Sequence, residues 1–396
     1  MSGLYIHIPF CKSRCIYCGF YATVGLDLRQ QYVEAVCREM EEVRGKREEG
    51  RGRSTSGRFD QGSKKREEVR TIYLGGGTPS QLTTEQLRQL FHNIYKVYGH
   101  EAEEVTIEMN PDDVTEAYAE ALPQLGINRV SMGAQTFNDK RLEFLHRRHR
   151  AEQVGLAVER LRKAGIRNIS IDLMYGFPGE TLDDWQRDIE AAIALDVEHI
   201  SAYCLSIEEN TPLWKMRNEE NERMRNEENE EMRVDEELER AMYEMLIDKL
   251  TGAGYEHYEI SNFARPGYRS RHNASYWHDV PYIGLGAAAH SYDGVCRSWN
   301  VADIRQYMDA ISRGERPAEY ETLDEDTRYN DCITVALRTS DGLDLTTLSE
   351  KHRSYCLKEA QRYIGDGLLR QDGNRLVLTR KGLFVSDMVM SGLIYV

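Results

Sequence analysis

At 396 residues and a formal net charge of −15, the chain can bury a large core without disulfides, and its field repels phosphate backbones and anionic lipid head groups. Nucleic acid and membrane surfaces are therefore set aside as partners. No stretch of about 18 apolar residues occurs and the apolar start at 4–10 runs into cysteines and bases, so neither a transmembrane segment nor a signal peptide is expected and the chain reads as cytoplasmic.

In chain order, short apolar or β-branched runs at 4–8, 71–74, 105–109, 129–133, 169–174 and 199–205 predict strands. Amphipathic patterns between them predict helices at 28–43, 84–98, 115–125, 151–164 and 181–195. Gly126 and Gly165 stand where helix C-caps belong, and Thr181, ahead of Asp183 and Asp184, stands where an N-cap belongs. Six βα units imply an α/β fold with a parallel sheet, either an incomplete barrel or a doubly wound sheet; periodicity does not choose between them.

Two charged stretches interrupt this pattern. Residues 45–65, rich in Gly, Ser, Arg, Lys and Glu, read as a solvated and mobile insertion in the first βα connection. From Met216 an eight-residue repeat leads into an amphipathic helix at 238–250; it reads as a solvated face or spacer, or as a partner-binding arm, and receives no site. After Tyr255 a Tyr-, His- and Gly-rich segment runs to Trp299. From Ile304 short helices follow, ending in a strand pair at 369–371 and 375–378 around the Asp372-Gly373 turn. The expected division is 1–214, a connecting segment at 215–300, and a small helical domain with a β-wing at 301–396.

Of eight cysteines, Cys37, Cys204, Cys296, Cys332 and Cys356 are scattered singly, as buried thiols in a reducing compartment are. The other three, Cys11, Cys15 and Cys18, form a C-x3-C-x2-C loop directly after the first strand. Three thiolates this close suit one soft metal centre, zinc or iron-sulfur. A structural zinc wants four ligands, here completed by a distant His or Cys, whereas a 4Fe-4S cluster on three thiolates leaves one iron open to an exchangeable ligand.

With the aromatic Tyr17 before its third cysteine, this loop resembles the signature of the radical S-adenosylmethionine (SAM) superfamily. The resemblance implies that SAM chelates the open iron through its amino and carboxylate groups, and that an electron from the reduced cluster splits its sulfonium. Gly75-Gly76-Gly77-Thr78-Pro79 follows the second strand, where backbone can approach a ligand closely, and matches the superfamily's glycine motif. Glu108 and Gln135 end the third and fourth strands, pointing into a shared mouth or capping loops locally. Arg147 can pair with a carboxylate through its fork, and Asp172 lies in an otherwise apolar strand, where burial without a partner is costly.

Tyr5, Tyr17, Gly76, Gly77, Thr78, Glu108, Gln135, Arg147 and Asp172 coincide, in order, with the SAM-site residues of the oxygen-independent coproporphyrinogen oxidase and HemW branch. The similarity spans roughly 4–299 and continues more weakly beyond. It implies a partial (β/α)6 TIM-like barrel followed by a small C-terminal helical, winged-helix-like domain. The oxidases carry a fourth cysteine two residues after the third; here that position is Phe20. This departure resembles the haem chaperones, as does His272-Asn273-Ala274-Ser275-Tyr276-Trp277, similar to their HNxxYW motif. His272 can ligate haem iron, with Asn273 beside it and Tyr276 and Trp277 offering flat apolar surface; otherwise the segment ties a loop across the barrel mouth. The expected function is haem binding and delivery to an acceptor protein, with a 4Fe-4S cluster, SAM, and an electron donor such as flavodoxin or ferredoxin. The competing expectations are a coproporphyrinogen III oxidase performing radical decarboxylation and a zinc-binding α/β protein without a redox role.

Overall fold

The computed structural model describes residues 2–52, 68–217 and 235–396. Strands β1 (Ser2–Ile8), β2 (Val69–Gly76), β3 (Glu104–Met109), β4 (Arg129–Gln135), β5 (Asn168–Tyr175) and β6 (His199–Cys204) pair in parallel, each with the next. Their order in the sheet is their order in the chain. A doubly wound sheet needs a point where the order reverses; without one, right-handed crossovers put every helix on one face and curl the sheet into a partial barrel. The strands are buried on both faces, β1 almost throughout, as parallel strands under helices are.

Local chemistry sets the helix ends. In α2 (Thr84–Tyr98) Thr83 accepts from the Gln86 amide while the Gln86 side chain accepts from the Thr83 amide, a reciprocal capping box. Thr181 and Asp184 repeat the arrangement at α6 (Leu182–Ala194). Gly126 and Gly165, predicted as C-caps, take the left-handed φ values of 79° and 98° after α3 (Glu116–Gln124) and α5 (Ala151–Lys163). Between them lies a short α4 (Asp139–Phe144).

Two features depart from the sequence reading. Helix α1 (Arg29–Gly52) runs past the expected end at 43, so the first part of the charged stretch is helical; residues 53–65, and the repeat at 218–234, lie outside the described residues. The chain then resumes in α7 (Glu236–Gly252), on which Trp185 of α6 packs, its Nε1 donating to the Met242 carbonyl at 3.0 Å. Beyond Tyr255 the sheet continues instead of stopping. β7 (Glu256–Glu259) and β8 (Asn262–Ala264) pair antiparallel beside β6. After α8 (Arg271–Trp277), β9 (Tyr282–Leu285) joins β1 in parallel, and β10 (His290–Tyr292), β11 (Cys296–Asn300) and, after α9 (Ile304–Ser312), β12 (Ala318–Thr322) extend it into a 12-stranded sheet.

Glu39 of α1 pins this extension. Its fully buried carboxylate accepts from the Gly286 amide (2.8 Å), Asn300 Nδ2 (2.7 Å), the Tyr307 hydroxyl (2.7 Å) and Arg316 Nε (3.0 Å). A separate core holds the C-terminal unit: Tyr329 and Ile333 of α10 (Glu325–Ala336) and Cys356 and Ala360 of α11 (Glu350–Gly365) pack on a three-stranded sheet of β13 (Leu343–Asp344), β14 (Leu369–Asp372) and β15 (Arg375–Leu378). All eight cysteines are free, Cys37 and Cys356 buried and the other six half-buried. Among the described residues no helix is long and apolar enough to cross a membrane.

Candidate functional site

The cysteine loop leaves the C-terminal edge of β1 and is closed at its neck, where Cys11 N donates to Thr23 O at 2.9 Å and Thr23 N to Pro9 O at 2.6 Å. Ile16, between the second and third cysteines, is 2% exposed and sinks among Leu145, Met174, Phe177, Leu205 and Leu213. Burying it stabilises the loop by roughly 2 kcal/mol. The loop therefore has one apolar foot and three thiols turned to the cavity.

The glycine segment after β2 zips onto the chain leading into this loop: Gly77 N donates to Ile8 O (3.0 Å) and Thr78 N to Phe10 O (2.7 Å). A Cβ at Gly77 would stand 2.9 Å from Phe10 N and O, and at Gly76, with φ 111°, one would stand 2.5 Å from the His7 ring. Only bare backbone fits there, which leaves a ledge beside the thiols. Thr78 Oγ1 lies 3.5 Å from Cys11 Sγ. Arg147, after α4, donates through Nη2 to Gly133 O (2.6 Å) and Asn110 Oδ1 (2.7 Å), and through Nη1 to Cys15 Sγ (3.6 Å); its Nε is buried without a partner.

A cavity of about 700 Å³ collects Cys11, Cys15, Cys18, Tyr17, Gly76, Gly77, Thr78, Glu108, Gln135, Arg147 and Asp172. Sequence-predicted residues from six separate segments thus share one mouth. Tyr5 is not among them. It lines a deeper chamber of about 220 Å³, with Glu108 and Asp172 in its wall, and its hydroxyl meets His7 Nδ1 at 3.0 Å. Glu108 accepts from the Tyr73 hydroxyl (2.7 Å) and the Gly76 amide (3.1 Å). Burial pushes its carboxyl up to about 7, against the Tyr73 hydrogen bond and with Asp172 adding repulsion. Burial likewise pushes Asp172 up to about 6, opposed by Arg129 and the Ser201 hydroxyl.

The donor set suits a cluster better than one ion. Among the described residues no three His, Cys, Asp or Glu side chains, the three cysteines included, stand at the spacing of a single metal ion. Burial raises the Cys11 and Cys18 thiols, which keeps them protonated and leaves Cys11 and Cys15 to hydrogen bonds with Thr78 and Arg147. A polynuclear cluster offers each thiol its own iron, and the ledge and Arg147 line the same cavity.

The four haem candidates are not brought to this mouth. His272 is fully buried at the barrel floor, with Nδ1 at 2.8 Å from Thr71 Oγ1 and Nε2 at 2.9 Å from the Tyr276 hydroxyl. With both nitrogens engaged it presents no free lone pair to an iron in this arrangement. Asn273 and Tyr276 line the deeper chamber beside it, and Trp277 turns away, with Arg338 5.5 Å from its ring centre. Sequence reasoning missed Asn110, Tyr73 and Arg129. Asn110 precedes Pro111 at a strand end, a recognisable signal, but inward residues within a strand look like ordinary core.

The Radical SAM superfamily model matches residues 5–192, and the HemN C-terminal domain model residues 323–385. A curated relative in Bacillus subtilis, heme chaperone HemW, is 34% identical over 358 residues, 89% of this chain and 87% of its own length. Heme chaperone HemW of Lactococcus lactis is 33% identical over 395 residues, 98% of this chain and 96% of its own. The chain belongs to the HemW family. Among solved structures, coproporphyrinogen III oxidase (HemN) from Escherichia coli, a radical SAM enzyme, matches with a TM-score of 0.78 over 99% of this chain and 89% of its own, at 21% identity. That likeness is one of fold, and it bears out the partial barrel with a helical C-terminal domain.

Proposed function

We propose that this HemW-family chain binds haem and passes it to an acceptor protein, with a 4Fe-4S cluster on Cys11, Cys15 and Cys18 and SAM on the adjoining ledge. The observation that carries the proposal is the single cavity where three free thiols, a side-chain-free ledge and buried acidic and basic groups meet. The names of the relatives supply the cargo. When bound, cluster and SAM supply one-electron chemistry, fed by a flavodoxin- or ferredoxin-like donor.

Within that reading the three cysteines each ligate an iron. Gly76, Gly77 and Thr78 lend backbone groups to SAM, Arg147 pairs with its carboxylate, and Glu108, Gln135 and Asp172 take its amino and ribose groups. Tyr17 covers the loop side, and Tyr5 supports the wall from the deeper chamber. Phe20, 69% exposed, lines the cavity beside Cys18 and offers an apolar surface where a porphyrin face can lie. Phe20 also offers no ligand in place of the oxidases' extra cysteine, so decarboxylation is not part of the proposal. Contact of haem with His272, Asn273, Tyr276 or Trp277 requires α8 to leave the floor.

Anaerobically reconstituted protein, titrated with haem, is expected to develop a saturable Soret band that Phe20→Ser weakens without changing the melting temperature. Iron and sulfide should accompany the three cysteines. A colourless, iron-free protein, or haem absorbance that never saturates, would reject the proposal. Conversion of coproporphyrinogen III under reducing conditions with SAM would return the oxidase reading.

A further inference from the structure

Helix α8 closes the floor of the barrel, and its contacts lead upward to the ledge. Glu104, at the start of β3, accepts from the amides of Arg271 and His272, both at 2.9 Å, which seats the first turn of the helix. Thr71 and Tyr276 then hold both nitrogens of the His272 ring. The ring stacks on Tyr73, with centroids 5.1 Å apart and planes 22° from parallel, and Tyr5 stacks on Tyr73 at 6.2 Å. Held this way, Tyr73 directs its hydroxyl at Glu108, whose other oxygen accepts from the Gly76 amide. The fit is close: a Cβ at Gly75 would stand 2.8 Å from Tyr73 Cε1 and 3.0 Å from Glu108 Oε1, and at Gly3 one would stand 3.1 Å from His272 Cε1.

We infer that His272 and Tyr276, acting through Tyr73, are positioning residues for the ledge: they hold the Tyr73 hydroxyl on Glu108 and so fix Glu108 against the Gly76 amide. The inference rests on the ledge being the SAM site and gives the His-Asn-x-x-Tyr-Trp segment a task inside the barrel. The His272 ring is suited to it because burial keeps it neutral, with one nitrogen donating and the other accepting. The groups facing Glu108 are Tyr73, the Gly76 amide, Asp172, Arg129, Tyr5 and Tyr276. The Tyr73 hydrogen bond is the strongest of those favouring its ionised form.

The test uses the reconstituted full chain and equilibrium dialysis of SAM across pH, with melting temperature and haem titration on the same preparations. Tyr73→Phe is expected to weaken SAM by about ten-fold near neutral pH, since a hydrogen bond to a charged group is lost. It should also move the acid limb of SAM binding to higher pH, a shift that a purely structural loss does not produce. Tyr276→Phe should weaken SAM about two- to three-fold in the same direction, the hydroxyl acting one step further away. Haem titration should be unchanged in Tyr73→Phe. Arg338→Gln, on the far side of α8, is expected to lower the melting temperature and leave SAM affinity in place. SAM affinity and pH profile unmoved in both tyrosine variants would overturn the inference, as would an equal loss in Arg338→Gln. A wild-type chain that takes no SAM would instead reject the reading of the ledge.

Discussion

Replacing Glu39 by Gln tests whether the strands beyond Tyr255 are held to the barrel as described. One carboxylate oxygen accepts from Asn300 Nδ2 and Arg316 Nε, the other from the Gly286 amide and the Tyr307 hydroxyl. A glutamine can satisfy only one of these pairs, because its amide nitrogen must face the other two donors. The charge opposite Arg316, itself only 12% exposed, disappears as well. Breaking a buried ion pair from one side costs roughly 3–5 kcal/mol, so the amide variant, which keeps half the hydrogen bonds, should lose about 3 kcal/mol. Because the loss is local, hydrogen exchange is the assay: amides of β9 and β11 should exchange about a hundred-fold faster, while those of α11 in the separate C-terminal core stay protected. Anaerobic iron incorporation should fall too, since β9 pairs with β1 and β1 carries the cysteine loop. A change below about 1 kcal/mol, or equal deprotection of α11, would refute the reasoning.

Gly77→Ala should separate the ledge from the loop: a methyl 2.9 Å from Phe10 N and O cannot be accommodated, so SAM affinity falls by at least about ten-fold while the thiol-bound iron content is retained. Equal loss of iron would show that the two parts do not act separately. Asp172 and Glu108 titrate at about 6 and about 7 in the fold against ordinary values of 3.8 and 4.5, so the folded chain keeps protons that the unfolded chain releases. Stability of the apo protein should therefore decline as pH rises from about 4 to 7, and Asp172→Asn should flatten that decline; parallel melting curves against pH for the two proteins would count against it.

Much of the fold could be read in the residues, and the failures share a cause. The first six strands and their helices follow from apolar period and capping residues, because parallel strands are buried on both faces and each helix shows its core stripe. The strands at 256–322 have three to five residues each and obtain their identity from partners far away in sequence, as β9 does from β1. Gly284 interrupts the apolar run of β9 and is required there because a Cβ would stand 1.8 Å from His290 O. The end of α1 escaped the sequence reading for the opposite reason: the stretch from Gly45 to Gly52 has no apolar period to mark it as helix. Mouth residues were legible because strand-end motifs have fixed spacing, whereas Tyr73 and Arg129 in the floor were not, since nothing local distinguishes an inward strand residue from core.

Arg129 shows what that omission concealed. It opens β4, is 1% exposed, and lines the deeper chamber with Nε and Nη1 buried and unpartnered. An isolated buried guanidinium is costly, so its presence must be offset by the acids it faces, and it does lower both Glu108 and Asp172. Arg129→Met removes the buried cation and its unmade hydrogen bonds together, so the melting temperature at pH 5, where both acids are largely protonated, should hold or rise. At pH 8 the same variant leaves the two carboxyls without the Arg129 charge, with Arg147 still acting on Asp172, so they stay protonated further up the scale, and SAM, a sulfonium, should bind more weakly than to wild type. Equal SAM affinity at both pH values would mean that Arg129 does not set the charge of the ledge wall, and that its burial serves the floor alone.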